Sequence, residues 1–189
     1  MFGSASAFAS ADGTQGGSDE SGIRTTRLDG TGLRRLIAEP GDEYPPWSPD
    51  GGTIAFGRLT KAVGRIYVVS PDGGGLRRLT DPPEGFWDSQ PSWSSDGERI
   101  AFSRASESRS DVYLMNADGT RVRKLTGKSG EKPSPDFSPD GEKVVFAGND
   151  EGQTTHIHVM DADGTDVRKL TTGAGVNDDA LDWRPLPPR

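Results

Sequence analysis

One short sequence recurs three times at nearly constant spacing. An aromatic residue is followed by Ser, a variable residue, Asp and Gly, and a Phe stands nine residues after that aromatic. The lead aromatics are Trp47, Trp93 and Phe137, and Trp183 begins a fourth copy, so the separations are 46, 44 and 46 residues. A fixed period of this kind predicts a repeat protein, and about 40–50 residues per unit is typical of β-propeller blades.

Each full unit contains four segments with strand character. In the second unit we predict strands over residues 89–93, 99–103, 111–115 and 122–126. The last two are joined through Asp118-Gly119, and an Asp-Gly pair is the favoured signal for a two-residue hairpin. The sequence therefore predicts an all-β protein, a β-propeller of four-stranded antiparallel blades.

The two ends of the chain suggest how such a ring could close. We predict blades at approximately residues 3–37, 44–80, 89–126 and 132–171, and the first of these lacks its first strand. Residues 178–184 have the pattern of a first strand that is not followed by a second one. If that C-terminal strand completes the N-terminal partial blade around Phe8, the circuit is 184 residues, or four units of 46.

We therefore expect one propeller domain over residues 3–184, of about four blades, and a Pro-rich tail at 185–189. Pro cannot continue a central strand, which ends the domain before the tail. Two alternatives stay open. The chain is either a monomeric ring or an open arc that forms a homodimer, and it could be a fragment of a larger propeller.

Composition excludes several function classes. The net charge is −7 without a basic face, which argues against nucleic acid binding. There is no cysteine, so neither a disulfide nor a thiolate metal site is expected. No apolar run approaches the length of a membrane span. Residues 1–10 contain no basic residue and no apolar core, so we predict no signal peptide in this chain.

The repeat itself resembles a known family. The pattern Trp-Ser-Pro-Asp-Gly, Ile-Ala-Phe, Ile-Tyr-Val, Asp-Gly-Gly and Arg-Arg-Leu-Thr in residues 47–80 is similar to the WD40-like β-propeller repeat of the TolB family. The resemblance is strong over residues 44–171 and weak over 3–37. It implies a bacterial propeller whose first strands line a central channel and which binds proteins without being an enzyme. A periplasmic or secreted location is suggested by this resemblance alone.

The chain departs from the usual form of that family. It has about four blades where TolB-type propellers have six, and we recognise no separate N-terminal domain. The specific partners of TolB therefore cannot be carried over, and the same blade serves many roles.

Partner contacts are expected on the face that carries the longer, more variable loops. The loop over residues 81–88 contains Phe86 and Trp87, which belong to no repeat column, followed by Asp88. Glu43 and Tyr44 stand in the preceding inter-blade loop. Adjacent aromatics rimmed by acid are typical of an interaction hot spot and favour a basic protein or peptide. Local packing over the blade is the alternative.

Several other residues are of types that can carry chemistry. Asp136 and Asp182 precede lead aromatics and are candidates to face the channel. His156 and His158 form a His-x-His pair, but His158 shares a column with Tyr67 and Tyr113 and no third ligand lies nearby. Residues 161–166 resemble part of a calcium loop without its terminal Glu. We therefore expect neither a metal nor a cofactor.

The function predicted from sequence is a non-catalytic TolB-like scaffold that binds a protein or peptide through the long-loop face or the channel mouth. The alternative is a small metal-dependent hydrolase or the accessory propeller domain of a peptidase-type enzyme. Paired cations in each fourth strand, such as Arg77-Arg78, are interpreted as protection of an exposed sheet edge, with a polyanion-binding stripe as the alternative.

Overall fold

The computed structural model describes residues 5–10, 22–61, 63–127, 134–149, 155–172 and 183. These residues form β-strands in antiparallel sheets joined by turns, with no helix among them. In the part of the chain just defined, no helix is long and apolar enough to cross a membrane. The chain divides into two compact units, residues 1–91 and residues 92–189.

Four sheets are found in the described residues. The first has strands β1 (Ala5–Ser10), β2 (Gly22–Arg27) and β3 (Arg34–Arg35), and the second has β4 (Asp42–Glu43), β5 (Ile54–Thr60), β6 (Val63–Val69) and β7 (Arg77–Arg78). The third has β8 (Trp87–Trp93), β9 (Arg99–Ala105), β10 (Ser110–Asn116) and β11 (Arg123–Lys124). The fourth has β12 (Asp136–Phe137), β13 (Lys143–Asn149), β14 (Thr155–Asp161) and β15 (Arg168–Lys169).

The predicted fold class is confirmed. Strands follow one another across each sheet in chain order, which is the meander expected of a propeller blade. The first sheet has three strands among the described residues. The C-terminal strand predicted to complete it, together with Asp182 and the tail, lies outside them, so that closure and the single-domain span stay predictions.

Two first strands begin earlier in the chain than the sequence indicates. β4 begins at Asp42 and β8 at Trp87, although we assigned both stretches to inter-blade loops. The backbone is left-handed at Tyr44, directly after β4, and at Gln90, within β8. A period-2 pattern cannot be followed through such an interruption, which explains the difference.

The repeated Ser and Asp build the turn between the first and second strands. In the third sheet, the Ser94 hydroxyl donates to the Asp96 carboxylate at 2.5 Å and accepts from the Arg99 amide at 3.0 Å. The Asp96 carboxylate also accepts from the Glu98 amide at 2.9 Å. Ser48 with Asp50 and Ser138 with Asp140 make the same bonds. These hydrogen bonds hold each of the three carboxyls in its charged form and lower its pKa.

The Asp-Gly hairpins lie where the sequence places them but are one residue longer than predicted. The Asn116 amide donates to Thr120 O at 2.9 Å, and the Gly119 amide donates to Asn116 O at 2.9 Å. Three residues thus separate the paired positions, and Gly119 has a φ of 88°. This is a turn followed by a glycine bulge, which needs a left-handed residue that Asp-Gly also supplies.

The short fourth strands are fastened by a threonine that the sequence did not single out. β11 pairs with β10 through two residues, after which the Leu125 amide donates to Val112 O at 2.8 Å. The Thr126 hydroxyl then accepts from the Val112 amide at 2.9 Å. In the same way, the Thr80 hydroxyl accepts from the Ile66 amide and the Thr171 hydroxyl accepts from the Ile157 amide, each at 3.0 Å. A side-chain oxygen therefore satisfies a buried amide for which the two-residue strand provides no backbone acceptor.

Aromatic pairs and apolar side chains form the core. Phe56 stacks on Tyr67 and Phe102 faces Tyr113, each with ring centroids 5.8 Å apart. One buried cluster packs the first sheet against the second, through Ile23, Ile37, Ile54, Phe56 and Val69. Another packs the third against the fourth, through residues that include Val112, Leu114, Phe137, Val144 and Phe146.

The first cation of a fourth strand reaches the next hairpin. The Arg34 guanidinium donates to Asp72 O at 2.5 Å, and the Arg123 guanidinium donates to Asp163 O at 2.8 Å. The second cation forms an ion pair in the second and third sheets. Arg78 pairs with Asp81 at 3.7 Å, and Lys124 pairs with Asp111 at 2.7 Å. These bonds favour a structural role for the paired cations over a polyanion-binding stripe.

We predict that Thr126→Val destabilises the protein by about 1–3 kcal/mol, because the buried Val112 amide loses its acceptor. Thr126→Ser keeps the hydroxyl and should lose no more than about 0.8 kcal/mol for the missing methyl group. Urea unfolding of both variants gives the comparison. Equal losses from the two substitutions would show that the hydroxyl contributes nothing.

Stability should fall in acid partly through the turn aspartates. Folding lowers the pKa of Asp50, Asp96 and Asp140, so their contribution is present above the unfolded pKa and is lost as pH falls through the folded one. We expect Tm to drop below about pH 4, the ordinary range of an Asp carboxyl. In the triple Asp→Asn variant, Tm should be lower at neutral pH and should change less between pH 7 and pH 3. A change as large as that of the wild type would contradict the assignment.

Candidate functional site

The best candidate site begins at β4 with a buried ion pair. Asp42 is 1% exposed, and its two carboxylate oxygens accept from Arg58 Nε at 2.6 Å and Arg58 Nη2 at 2.8 Å. The guanidinium lies over the rings of Tyr67 and Phe56, with its carbon 4.9 Å and 5.3 Å from their centroids. Burial raises the pKa of Asp42 against the opposing effect of Arg58. This bidentate, stacked pair fixes the start of the strand.

Glu43 and Tyr44 follow the buried Asp42 directly. Their side chains are hydrogen-bonded to one another, and burial raises the pKa of the Glu43 carboxyl and, together with the Glu43 charge, that of the Tyr44 hydroxyl. Tyr44 is 50% exposed and has a φ of 54°. A bulky residue in the left-handed region is strained, and such outliers concentrate at functional sites.

Strand β8 lies against two glycines of the second sheet. A Cβ placed on Gly64 would stand 2.8 Å from Asp88 O and 3.0 Å from Trp87 Cβ. A Cβ placed on Gly57 would have Ser89 Cα at 3.5 Å and Glu43 O at 3.7 Å. Because the Glu43 oxygen and Ser89 Cα both border Gly57, the backbone next to each of the two predicted contact stretches comes close here.

The aromatic side chains of this surface are half-buried. Phe86 and Trp87 are each partly exposed, and Trp87 lies in strand β8 rather than in the loop where we predicted it. Packing of Trp87 Cβ against Gly64 supports part of the local-packing alternative, while the partial exposure leaves ring surface for a partner. Asp88, which we placed among the contact residues, is fully buried and does not reach the surface.

Much of the acid near this surface is paired within the protein. Asp81 accepts from Arg65 Nε at 3.0 Å and lies 3.7 Å from Arg78, and the hydrogen bond from Arg65 is the main cause of its lowered pKa. Asp42 is engaged by Arg58 as described. Glu39, whose charge acts on Asp42 and Arg58, and Glu84, two residues before Phe86, are exposed, and Glu43 is half-buried.

The second predicted group, Asp136 and Asp182, is separate. Asp136 is half-buried, and its carboxylate accepts from the Ser92 hydroxyl at 2.8 Å. Its backbone oxygen accepts from Trp183 Nε1 at 3.2 Å. Asp136 therefore joins residues of three successive repeats, and Asp182 lies outside the described residues.

The fold accounts for His158 and for the calcium-like segment. His158 stacks on Phe146 at 5.3 Å between ring centroids, in the column of the tyrosines. His156 is buried on the same strand. In the calcium-like segment, Asp161 accepts from Lys143 Nζ at 2.7 Å and Asp163 accepts from Thr165. Among the residues that the structure describes, no three His, Cys, Asp or Glu side chains are grouped as metal ligands would be.

Sequence reasoning missed the Asp42–Arg58 pair and the two glycines. A signal for the pair was present, because Asp88 and Arg104 stand 46 residues after Asp42 and Arg58. Arg104 also lies over its aromatic pair, 4.7 Å from the Tyr113 centroid and 5.6 Å from that of Phe102. The role of Gly57 and Gly64 depends on contacts between strands distant in sequence and gave no signal.

Comparison with known proteins identifies close similarity to one family. The sequence profile described as "TolB beta propeller domain" matches residues 84–185, more than half of the 189 residues. The Tol-Pal system protein TolB of Syntrophus aciditrophicus (strain SB) is 38% identical over 55 residues, which is 29% of this chain and 12% of that protein.

Solved structures agree. A protein described as TolB from Agrobacterium tumefaciens has a TM-score of 0.72 and 28% identity, covering 80% of this chain and 56% of that one. TolB from Acinetobacter baumannii has a TM-score of 0.70 and 24% identity, covering 82% and 38%. The chain thus spans little more than half, or less, of the relatives it matches.

Enzymes share the fold as well. An oligogalacturonate lyase from Vibrio parahaemolyticus has a TM-score of 0.62 at 16% identity, covering 82% of this chain and 44% of that one. At this identity the likeness shows the fold alone.

We predict that Gly64→Ala destabilises the protein by about 1–3 kcal/mol, because the new methyl group would overlap the Asp88 carbonyl and force β8 away. Gly57→Ala is the matched control. Its methyl group would make ordinary contacts, so stability should stay unchanged or rise by about 0.4–1 kcal/mol. Thermal unfolding measures both. If the two variants unfold alike, β8 does not lie as close to Gly64 as described.

Proposed function

This chain belongs to the TolB β-propeller domain family, and from that premise we propose that it is a non-catalytic scaffold that binds a protein or peptide segment. The binding surface consists of Phe86, Trp87, Glu43 and Tyr44, and we call it the rim surface. The single observation that carries the proposal is that the two stretches bearing these residues meet at Gly57.

The chemistry of the rim surface suits a peptide. Partly exposed aromatic rings supply apolar area and a polar edge, the combination enriched at interaction hot spots. Glu43, Glu39 and Glu84 leave the neighbourhood acidic after Asp42 and Asp81 are paired. We therefore expect a segment that combines an apolar or aromatic side chain with a basic one.

The proposal is tested with a peptide selected from a random phage-displayed library on the immobilised wild-type protein. Phe86→Ala and Trp87→Ala should each weaken its binding by tenfold or more, about 1.4 kcal/mol, as loss of a hot-spot ring does. Trp87→Ala keeps the Cβ that contacts Gly64, so the fold should persist. Fluorescence polarisation gives Kd and circular dichroism checks folding.

Leu76→Ala is the control for the loss of an exposed apolar side chain. Leu76 is 47% exposed and precedes the short strand β7. Its replacement should leave Kd within about twofold of the wild type. If Phe86→Ala and Trp87→Ala also leave Kd unchanged, or if no peptide is enriched on the protein, the rim surface is not a binding site.

A further inference from the structure

Two residues in neighbouring first strands share an unusual backbone. Tyr44 has a φ of 54° and Gln90 a φ of 53°. They are 46 residues apart, and each stands three residues before a lead tryptophan. A non-glycine side chain in this region costs free energy, so such a residue persists only where its surroundings impose it.

A buried aspartate stands two residues before each of them. Asp42 is 1% exposed and Asp88 is 0% exposed. Asp42 accepts the two hydrogen bonds from Arg58. The strand is therefore anchored immediately ahead of the strained position. Since Asp42 pairs with Arg58 in register, it cannot shift to relax Tyr44 without breaking that ion pair.

The fourth sheet provides an internal comparison. The residues that correspond to Asp42 and Arg58 are Lys132 and Gly148 in the sequence. Ser134, which corresponds to Tyr44, is not among the described non-glycine residues with a positive φ. Among the first strands that the structure describes, the positive φ at this position therefore occurs in the two repeats that carry both the Asp and the Arg.

We propose that Tyr44 and Gln90 are specificity-determining contacts for an extended peptide segment, and that Asp42 and Arg58 are positioning residues that hold Tyr44 in its strained backbone. This inference rests on the proposed function. Tyr44 directly follows β4 and Gln90 lies in β8, the two strands approach each other at Gly57 through Glu43 and Ser89, and Tyr44 is half exposed. The Tyr44 ring packs on a side chain of the segment, and the half-buried Gln90 side chain contacts the segment beside it.

The test uses glycine to separate strain from contact. Tyr44→Gly and Tyr44→Ala both remove the ring, but only glycine accepts the left-handed backbone without cost. Tyr44→Gly should therefore have the higher Tm, while both variants bind the library-selected peptide at least tenfold more weakly. Gln90→Gly and Gln90→Ala should show the same order of Tm and the same loss of affinity.

Arg121→Gly is the matched control. Arg121 has a φ of 54° in an outer hairpin, where the first two repeats carry Gly32 and Gly75 with φ of 68° and 64°. Glycine should raise Tm here and leave Kd within about twofold of the wild type.

A double-variant comparison tests the positioning role. Arg58→Lys removes the bidentate geometry and should weaken binding in the wild-type background. In the Tyr44→Gly background it should have no further effect on Kd, because the residue it positions is gone. An equal effect in both backgrounds would show that Arg58 acts independently of Tyr44.

The outcomes for the contact are distinct. If Tyr44→Gly and Gln90→Gly bind within about twofold of the wild type while Phe86→Ala weakens binding, this inference fails and the proposed function stands. If none of these substitutions alters Kd, both fail.

Discussion

The structure depends on side-chain oxygens that satisfy the backbone where the strands are too short to do so. A buried amide without an acceptor costs about 1–3 kcal/mol, which is a large fraction of the stability of a small domain. In each full repeat a serine hydroxyl accepts from the amide at the start of the second strand, and a threonine hydroxyl accepts from the third strand beyond the end of the fourth. These two residues therefore satisfy amides of the two central strands at points where the short outer strands do not reach.

Contacts between sheets within each unit use groups from the turns and the edges. Arg34 reaches Asp72 O and Arg123 reaches Asp163 O, so a charged side chain at a sheet edge also binds the neighbouring hairpin. A Cβ on Gly164 would lie 3.2 Å from Leu125 O, which shows how closely the hairpin of the fourth sheet approaches the end of β11 in the third. The Arg therefore has a second role beyond protecting the edge, and this explains its repetition in short strands that would otherwise be only weakly specified.

The sequence was sufficient to predict the features that recur with the repeat period. The Phe and Tyr columns, with His158 as a substitute, follow from repeat spacing, and the rings stack where the columns align. The Asp42–Arg58 pair recurs at the same 46-residue spacing in Asp88 and Arg104, but that its two members face each other depends on the register of β4 against β5. The left-handed residue Tyr44 separates β4 from the repeat motif at Trp47, and a period-2 pattern does not reveal it. Trp87 was misplaced for the same reason, since Gln90 interrupts the strand that contains it.

The distribution of charge explains why an acidic chain can present an aromatic binding surface. Asp42 and Asp81 are paired with arginines, so these acids stabilise the scaffold and add little to the field at the rim surface. What remains is the half-buried Glu43 with the exposed Glu39 and Glu84. A few exposed charges mainly orient a partner and speed its encounter, whereas the burial of aromatic rings supplies most of the affinity. Binding at this surface is therefore expected to depend more on the rings of Phe86 and Trp87 than on the net charge of the chain.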